Sequence, residues 1–289
     1  MPVPSPSPSA LQRRELFPRG LFQPAGGFRF GADTLLLAAF AARNLPTTRP
    51  GATQAGLELG VGCGAACLGL LLLRPERNLR LTGIDLGPDM VAAANQNAEA
   101  LGLTEHFHAE QADAQDYQGP AGGSGRGFHF ALSNPPFRLP GTGRTAATAQ
   151  KDRARFEGPG GLSAFVRCAA RCLRPGGRFY LLHLAERLPE LLRTLQDADL
   201  APELLLPVQG AAEKPTRLVL LAARKGGRGG LTLAPPLLLY DAQHRLTAQA
   251  QDFCPPLGVN ARPSASMSVE ADKSRAFQRG TLAKANIAE

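Results

Sequence analysis

The sequence predicts an α/β fold: a seven-stranded, mostly parallel sheet with helices on both faces and an antiparallel edge strand. Three observations lead there. Strand-like and helix-like runs alternate through most of the 289 residues, the pattern of parallel strands joined by crossover helices. A glycine cluster, Gly60, Gly62 and Gly64, follows the first strand-like run. The later runs end on single polar residues, Asp85, Asp113 and Asn134, which suits strands whose carboxyl ends form a ligand-bearing rim.

In chain order, a helix over 32–44 precedes the first strand, AGLELG at 55–60. Helix 65–74, strand 80–86 (RLTGIDL), helix 88–101 and strand 107–113 (FHAEQAD) continue the alternation. Strand 128–134 (FHFALSN), helix 160–173, strand 177–184 (GRFYLLHL) and helix 185–197 follow. The last two strands, 203–209 and 217–224, are too close in sequence for an intervening helix, so they pair antiparallel at the sheet edge. One domain is expected over 16–245. Residues 1–15, beginning MPVPSPSPSA, and the polar residues 246–289 are expected to be poorly ordered.

Composition sets bounds rather than a function. Hydrophobic residues make up 44% of the chain, enough for a substantial core. Five cysteines in no regular framework fit a reducing compartment better than a disulfide-stapled secreted domain. The first ten residues lack the apolar stretch of a signal peptide, and LLLAAFAA at 35–42 is too short to span a bilayer. The expectation is a cytoplasmic monomer with no membrane contact. Lys and Arg outnumber Asp and Glu by 32 to 24, a formal charge of +8. That favours a polyanionic partner such as nucleic acid without deciding the matter.

The first strand runs into Glu58-Leu59-Gly60-Val61-Gly62-Cys63-Gly64 and then a helix. Glycines there let backbone N–H groups approach a ligand closely, at a helix N-terminus that favours anionic groups. Gly60-x-Gly62-x-x-Ala65 satisfies a dinucleotide fingerprint, with Asp85 at about the expected distance. Glu58-x-Gly60-x-Gly62-x-Gly64 equally resembles the first motif of S-adenosylmethionine-dependent methyltransferases, in which the acid lies near the amino acid portion of the cofactor. Asp85 can accept both ribose hydroxyls of either cofactor, and Asp113 can accept from an adenine amino group.

Asn134-Pro135-Pro136-Phe137, ending the fourth strand, chooses between them. An exocyclic amine is a poor nucleophile because its lone pair is delocalised into the ring. Accepting both of its N–H groups, through the Asn134 side-chain oxygen and the Pro135 carbonyl, lets the nitrogen become tetrahedral and aims the lone pair at a sulfonium methyl. Pro135 and Pro136 stiffen the carbonyls, and Phe137 offers a face for stacking on the base. A dehydrogenase has no use for such a tip, so the cofactor is S-adenosylmethionine.

This combination resembles the amino-methyltransferases whose motif is (Asn/Asp/Ser)-Pro-Pro-(Tyr/Phe/Trp), and within them the bacterial tRNA N6-adenine methyltransferases acting beside the valine anticodon. The similarity spans about residues 16–245. It includes Phe30-Gly31-Ala32-Asp33-Thr34-Leu35 before the glycine motif, the basic segment Arg153-Ala154-Arg155, and Lys214-Pro215-Thr216-Arg217 with Ala223-Arg224-Lys225-Gly226-Gly227-Arg228 near the end. The resemblance implies a Rossmann-like class I methyltransferase fold. It also implies that Asp33 and Thr34 lie near the methionine end of the cofactor. Phe137 stands where adenine-specific members more often carry tyrosine. That keeps open rRNA guanine-N2 methylation, and the amide chemistry keeps open glutamine N5-methylation of release factors.

Arg138, Arg144, Lys151, Arg153 and Arg155 lie on a long loop directly after the motif, with Arg224, Lys225 and Arg228 as a second cluster. Both are candidates for RNA phosphate contact, tRNA being the expected partner. Cys63/Cys67 and Cys168/Cys172 have helical spacing, but no His or carboxylate pattern completes a metal site. They are expected to be small buried residues on helix faces, and no metal is expected.

Overall fold

The computed structural model describes residues 9–25, 29–49, 51–119, 127–136 and 161–260. Within it are strands β1 (Gln54–Leu59), β2 (Leu79–Asp85), β3 (Phe107–Gln111), β4 (Phe128–Ser133), β5 (Leu173–Leu184), β6 (Leu200–Gln209) and β7 (Leu218–Lys225). Two short strands, β8 (Thr232–Leu233) and β9 (Leu237–Leu238), both pair with β6. The helices are α1 (Ala10–Glu15), α2 (Ala32–Asn44), α3 (Ala65–Leu73), α4 (Pro88–Ala100), α5 (Gly161–Cys172), α6 (Leu188–Asp197), α7 (Ala248–Phe253) and α8 (Pro256–Asn260).

Strand order is β3-β2-β1-β4-β5-β7-β6-β8. Pairing is parallel from β3 through β5, and β7 runs antiparallel to both of its neighbours. The antiparallel strand therefore lies inside the sheet rather than at its edge, because β6 and β7 are joined by a short turn and β7 folds back between β5 and β6. β8 and β9 then cover part of β6, whose N–H and C=O groups would otherwise form an open edge.

Side chains alternate along each strand, and both faces are buried. Phe130, Leu132, Tyr180, Leu182 and Leu220 join a core with α2, α3 and α4. Ala131, Phe179, Leu181, Val219 and Leu221 join a second core with α5 and α6. α5 and α6 are amphipathic, pointing Leu162, Val166, Leu191 and Leu195 inward.

α2 behaves differently: every residue from Thr34 to Ala42 is buried. A helix apolar all round needs cover on all sides, and here the C-terminal segment supplies it. Arg43 donates to the Asp252 carbonyl and pairs with the Asp252 carboxylate at 3.0 Å, its guanidinium stacks 5.1 Å from the Phe253 ring, and the Cys254 thiol points at the Leu35 carbonyl at 3.4 Å. Residues 246–259, expected outside the fold, thus extend it, and the unit continues to Val259. α1 is similarly tied down. Ser9 and Gln12 form a reciprocal N-cap, and Arg14 donates to the Leu101 and Gly102 carbonyls at 2.7 Å, capping the C-terminus of α4.

The topology reverses between β1 and β4, the place where open α/β sheets form a crevice at their carboxyl ends. Register sets what meets there: Leu59 is level with Ile84 on one side and Ser133 on the other, and Asp85 with Gln111. The glycine turn, Asp85, Asp113 and Asn134 therefore leave the sheet along one rim.

Replacing buried Leu257 by alanine is expected to lower unfolding free energy by about 2 kcal/mol or more, read as a shift in denaturant midpoint at constant slope. An unchanged midpoint would mean that the C-terminal cover does not belong to the folded unit.

Candidate active site

Gly60, Gly62 and Gly64 have φ of 73°, 54° and 86°, left-handed values that L side chains rarely hold. A turn of this shape keeps few bonds of its own. The Gly60 and Val61 amides both reach the Ile84 carbonyl at 2.9 Å, and Gly64 begins α3. Gly62 is held from outside, its N–H donating to Asp85 Oδ2 at 2.9 Å, while Asp85 Oδ1 takes the Gly87 N–H at 2.9 Å. Asp85 thereby locks the glycine turn to the start of α4. A carboxylate offers about four acceptor positions, so these two bonds leave room for a pair of hydroxyls. Burial raises its pKa above the ordinary carboxylate value, and the backbone N–H bonds oppose the rise.

Glu58 lies under the turn rather than beside the rim. It is 2% exposed, and Oε2 accepts the Cys67 N–H in the first turn of α3 at 3.0 Å. Burial pushes its pKa up to about 8, against the bonds from Cys67 and with help from the nearby Asp85 charge. Its effect on any ligand passes through the turn it supports. Asp113 follows β3 and organises its own loop, Oδ1 taking the Gln115 N–H at 2.8 Å. Asp33 Oδ1 takes the Thr34 N–H at 2.9 Å in the first turn of α2.

β4 delivers Asn134 next to the glycine turn. Ser133, fully buried, donates its hydroxyl to the Leu59 carbonyl at 3.0 Å, closing the two strand ends together. Asn134 Nδ2 donates to Thr34 Oγ1 at 3.1 Å. Asn134 Oδ1 is buried and has no hydrogen-bond partner in the protein. An unsatisfied buried oxygen is costly, and its presence at a rim marks an acceptor that waits for a donor. Gln23 Oε1 is a second such buried oxygen. Pro135 is buried and Pro136 half-buried.

Three residues not singled out in the sequence complete the site. Asn97 on α4 is 2% exposed; it exchanges bonds with the Phe22 N–H and C=O at 2.7 and 2.9 Å and donates to the Cys63 carbonyl at 2.9 Å. It clamps the N-terminal segment over the glycine turn, where Leu21 and Phe30 pack on Cys63, Ala65 and Ala93. The signal was there: Asn97 falls on the same helix face as Ala93, Ala94 and Ala98, a polar residue in a core-facing stripe. Arg171 on α5 donates to the carbonyls of Ala114, Gln115 and Tyr117, fixing the loop after Asp113. Leu86 beside Asp85 is 65% exposed, an apolar surface displayed on the rim.

The basic candidates divide. Phe137, Arg138, Arg144, Lys151, Arg153 and Arg155 lie outside the described residues. Arg224 is level with Arg178 and Phe130, so Arg224 and Lys225 sit toward the amino ends of the parallel strands, away from Asn134. Antiparallel β7 carries them there, with exposed Arg228 following. Arg224 pairs with Glu203 at 3.6 Å and Lys225 donates to the Leu173 carbonyl at 2.7 Å. The same reversal brings exposed Lys214 and Arg217, ahead of β7, to the reactive rim, where the Arg217 carbonyl accepts the Ala185 N–H.

All five cysteines are free and buried; burial was expected for Cys63, Cys67, Cys168 and Cys172, and Cys63 lies in the glycine turn ahead of α3 rather than on a helix face. Burial pushes the Cys63 thiol up to about 12, so it is no nucleophile. Among the described residues no helix is long and apolar enough to cross a membrane, and no cluster of three His, Cys, Asp or Glu could hold a metal ion.

This donor and acceptor set fits S-adenosylmethionine: glycine amides at a helix start, a carboxylate at the end of β2 with acceptor capacity beyond its backbone bonds, an exposed apolar surface beside it and a second acid just after the next strand. The comparisons with known proteins agree. Residues 57–136 match the model of a methyltransferase domain. The chain is 31% identical, over 67% of its length and 76% of the relative's, to a tRNA1(Val) (adenine(37)-N6)-methyltransferase from Dickeya chrysanthemi. It is 32% identical to a release factor glutamine methyltransferase from Deinococcus radiodurans over 49% of the chain, spanning only 50% of that protein. Among solved structures, a predicted O-methyltransferase from Agrobacterium tumefaciens superposes with a TM-score of 0.59 at 18% identity, covering 78% of this chain and 96% of that one.

Two outcomes are expected from these contacts. Asn97→Ala strands three backbone groups and should cost about 2 kcal/mol or more in stability, and weaken cofactor binding in calorimetry; unchanged affinity would separate the N-terminal segment from the site. Glu58, with a folded pKa near 8, binds a proton that the unfolded chain releases near pH 4 to 5. Its contribution is therefore fully present below that range and is lost as pH rises through about 8. Glu58→Gln should flatten the wild type's fall in stability between about pH 5 and 8 in paired denaturant titrations, and parallel curves would place the proton elsewhere.

Proposed function

Because this chain belongs to the S-adenosylmethionine-dependent methyltransferase family that includes the tRNA1(Val) adenine-N6 enzymes, we propose that it methylates the exocyclic N6 amine of an adenine in tRNA, beside the anticodon of the valine-accepting species. The observation that carries this reading is Asn134 Oδ1, a buried acceptor without a protein partner at the tip of β4.

S-adenosylmethionine, when bound, supplies a methyl group on a positively charged sulfur. The chain's own residues then have two tasks. Asp85 takes the ribose hydroxyls while holding Gly62, Leu86 lies against the adenine ring, and Asp113 accepts from its amino group. Asn134 Oδ1 and the Pro135 carbonyl accept the two N–H groups of the target amine, drawing its lone pair out of ring conjugation. Both acceptors stand on a strand end that Ser133 ties to β1, so little reorganisation accompanies the reaction. Transfer would break the methyl–sulfur bond and leave a neutral thioether, and the methylated nitrogen, cationic at that point, would release one proton to water. The nitrogen's acidity in that state removes any need for a strong base.

Phe137 stacks on the flipped-out base in this reading. RNA phosphates are met by Lys214 and Arg217, which share the rim with Asn134, and by the basic residues 138–155 that follow the motif in sequence. Arg224, Lys225 and Arg228 are left out of the interface because β7 carries them toward the other end of the sheet.

Label transfer from methyl-labelled S-adenosylmethionine tests the assignment. Wild type should label unmodified total tRNA and not release factor, whereas Asn134→Ala should lose at least about a hundredfold in kcat with cofactor affinity unchanged. Loss of cofactor binding in that variant would contradict the role given to Asn134. Labelling of release factor alone would replace adenine by glutamine as the target. Lys214→Glu with Arg217→Glu should weaken tRNA binding and flatten its salt dependence; an unchanged salt slope would remove them from the interface.

A further inference from the structure

We propose that Thr34 is a positioning residue that holds the Asn134 amide in place by its nitrogen, with the oxygen turned to the target amine. The inference rests on the reading just given and adds to it a second residue. A primary amide is nearly the same shape after half a turn about its Cβ–Cγ bond, but the chemistry is reversed. One orientation presents an acceptor to the target amine; the other presents a donor to a group that is itself a donor. With the acceptor turned to the target amine, the amide nitrogen needs a partner on the far side.

Thr34 is that partner. Its Oγ1 takes the Asn134 Nδ2–H at 3.1 Å across a hundred residues of sequence, and the opposite end of the amide, Oδ1, is left buried and unpartnered. Thr34 itself is 6% exposed and stands in the first turn of α2. Its N–H is held by Asp33 Oδ1 at 2.9 Å. That carboxylate in turn lies over Gly31, where an added Cβ would come within 2.7 Å of it. Gly31, Asp33 and Thr34 thus form a chain of support that ends on the Asn134 amide, and the segment's contribution to the site is to hold that amide in place. A β-branched threonine has few χ1 choices, so its hydroxyl oxygen stays within reach of the amide; because a hydroxyl both accepts and donates, Thr34 fixes the place of the amide, and the N–H groups of the target amine favour the oxygen facing them.

Thr34→Val keeps the shape and deletes the acceptor, and Thr34→Ser keeps the acceptor and deletes the methyl. Two readouts are taken on these variants, with Thr34→Ala replacing valine if the latter fails to fold. The first needs no substrate: the Asn134 side-chain NH2 in a nitrogen-15 correlation spectrum, identified by its disappearance in Asn134→Asp. Wild type and Thr34→Ser should show two well-separated amide protons, one of them slow to exchange with solvent. Thr34→Val should lose that protection and draw the two signals together. The second readout is single-turnover methyl transfer. Thr34→Ser should stay within about threefold of wild type and Thr34→Val should fall by about ten- to a hundredfold, the scale of a misoriented group, with the cofactor dissociation constant and melting temperature unchanged.

An unchanged NH2 spectrum in Thr34→Val would overturn the proposal, as would a loss in Thr34→Ser equal to that in Thr34→Val, or a rate loss that merely follows weakened cofactor binding. Wild-type protein that labels no amine would instead refute the proposed function, while the spectrum still decides whether Thr34 holds the amide.

Discussion

The left-handed glycine turn is tied to its surroundings by one carboxylate, and the rest of this site is arranged around that tie. Asp85 takes one N–H from Gly62 and one from Gly87, and these two bonds fix the turn after β1 to the start of α4. From that tie the other parts follow. Glu58 supports the turn from beneath through the Cys67 amide, and Asn97 ties the N-terminal segment over it through the Cys63 carbonyl. Ser133 draws β4 level with β1, so that Asn134 emerges beside the turn. Each bond is ordinary; their common direction is what makes a rim of fixed polar groups along one edge of a rigid sheet.

The arrangement separates two kinds of polar group. Asp85, Asp113 and Asn97 spend acceptor or donor positions on backbone and so define shape. Asn134 spends only its nitrogen, on Thr34, and keeps its oxygen without a partner. Among the described residues Asn134 Oδ1 and Gln23 Oε1 are buried oxygens without a partner, and Asn134 Oδ1 is the one that stands at a strand end on the rim.

Much of this was legible in the sequence. The alternation of runs located all seven principal strands, and the polar residues at strand ends identified Asp85, Asp113 and Asn134 because a parallel sheet has only one ligand-bearing rim. Glu58 was legible as important and illegible as to direction: strand period alone does not say that its carboxylate turns under the helix. An antiparallel pair at the sheet edge was legible, but not that β7 lies between β5 and β6, nor that this carries Arg224 and Lys225 toward the opposite end of the sheet from Asn134; register is a tertiary property. The C-terminal cover of α2 was missed for a similar reason. Residues 246–259 show little pattern of their own, and the cue lay two hundred residues earlier, in a helix so apolar on every side that something had to bury its outer face. Asn97 was overlooked because a single polar residue in an alanine-rich stripe looks like noise until its three backbone partners are seen.

The central claim is that this rim presents its open acceptors to an adenine amine. The most direct test is to digest tRNA methylated by the wild-type enzyme to nucleosides and identify the labelled product by mass and chromatographic position. The account expects the label in N6-methyladenosine. Label in N2-methylguanosine would contradict the choice of base while keeping the Asn134 and Pro135 acceptor pair, and label on carbon or on a ribose hydroxyl would contradict the acceptor pair itself.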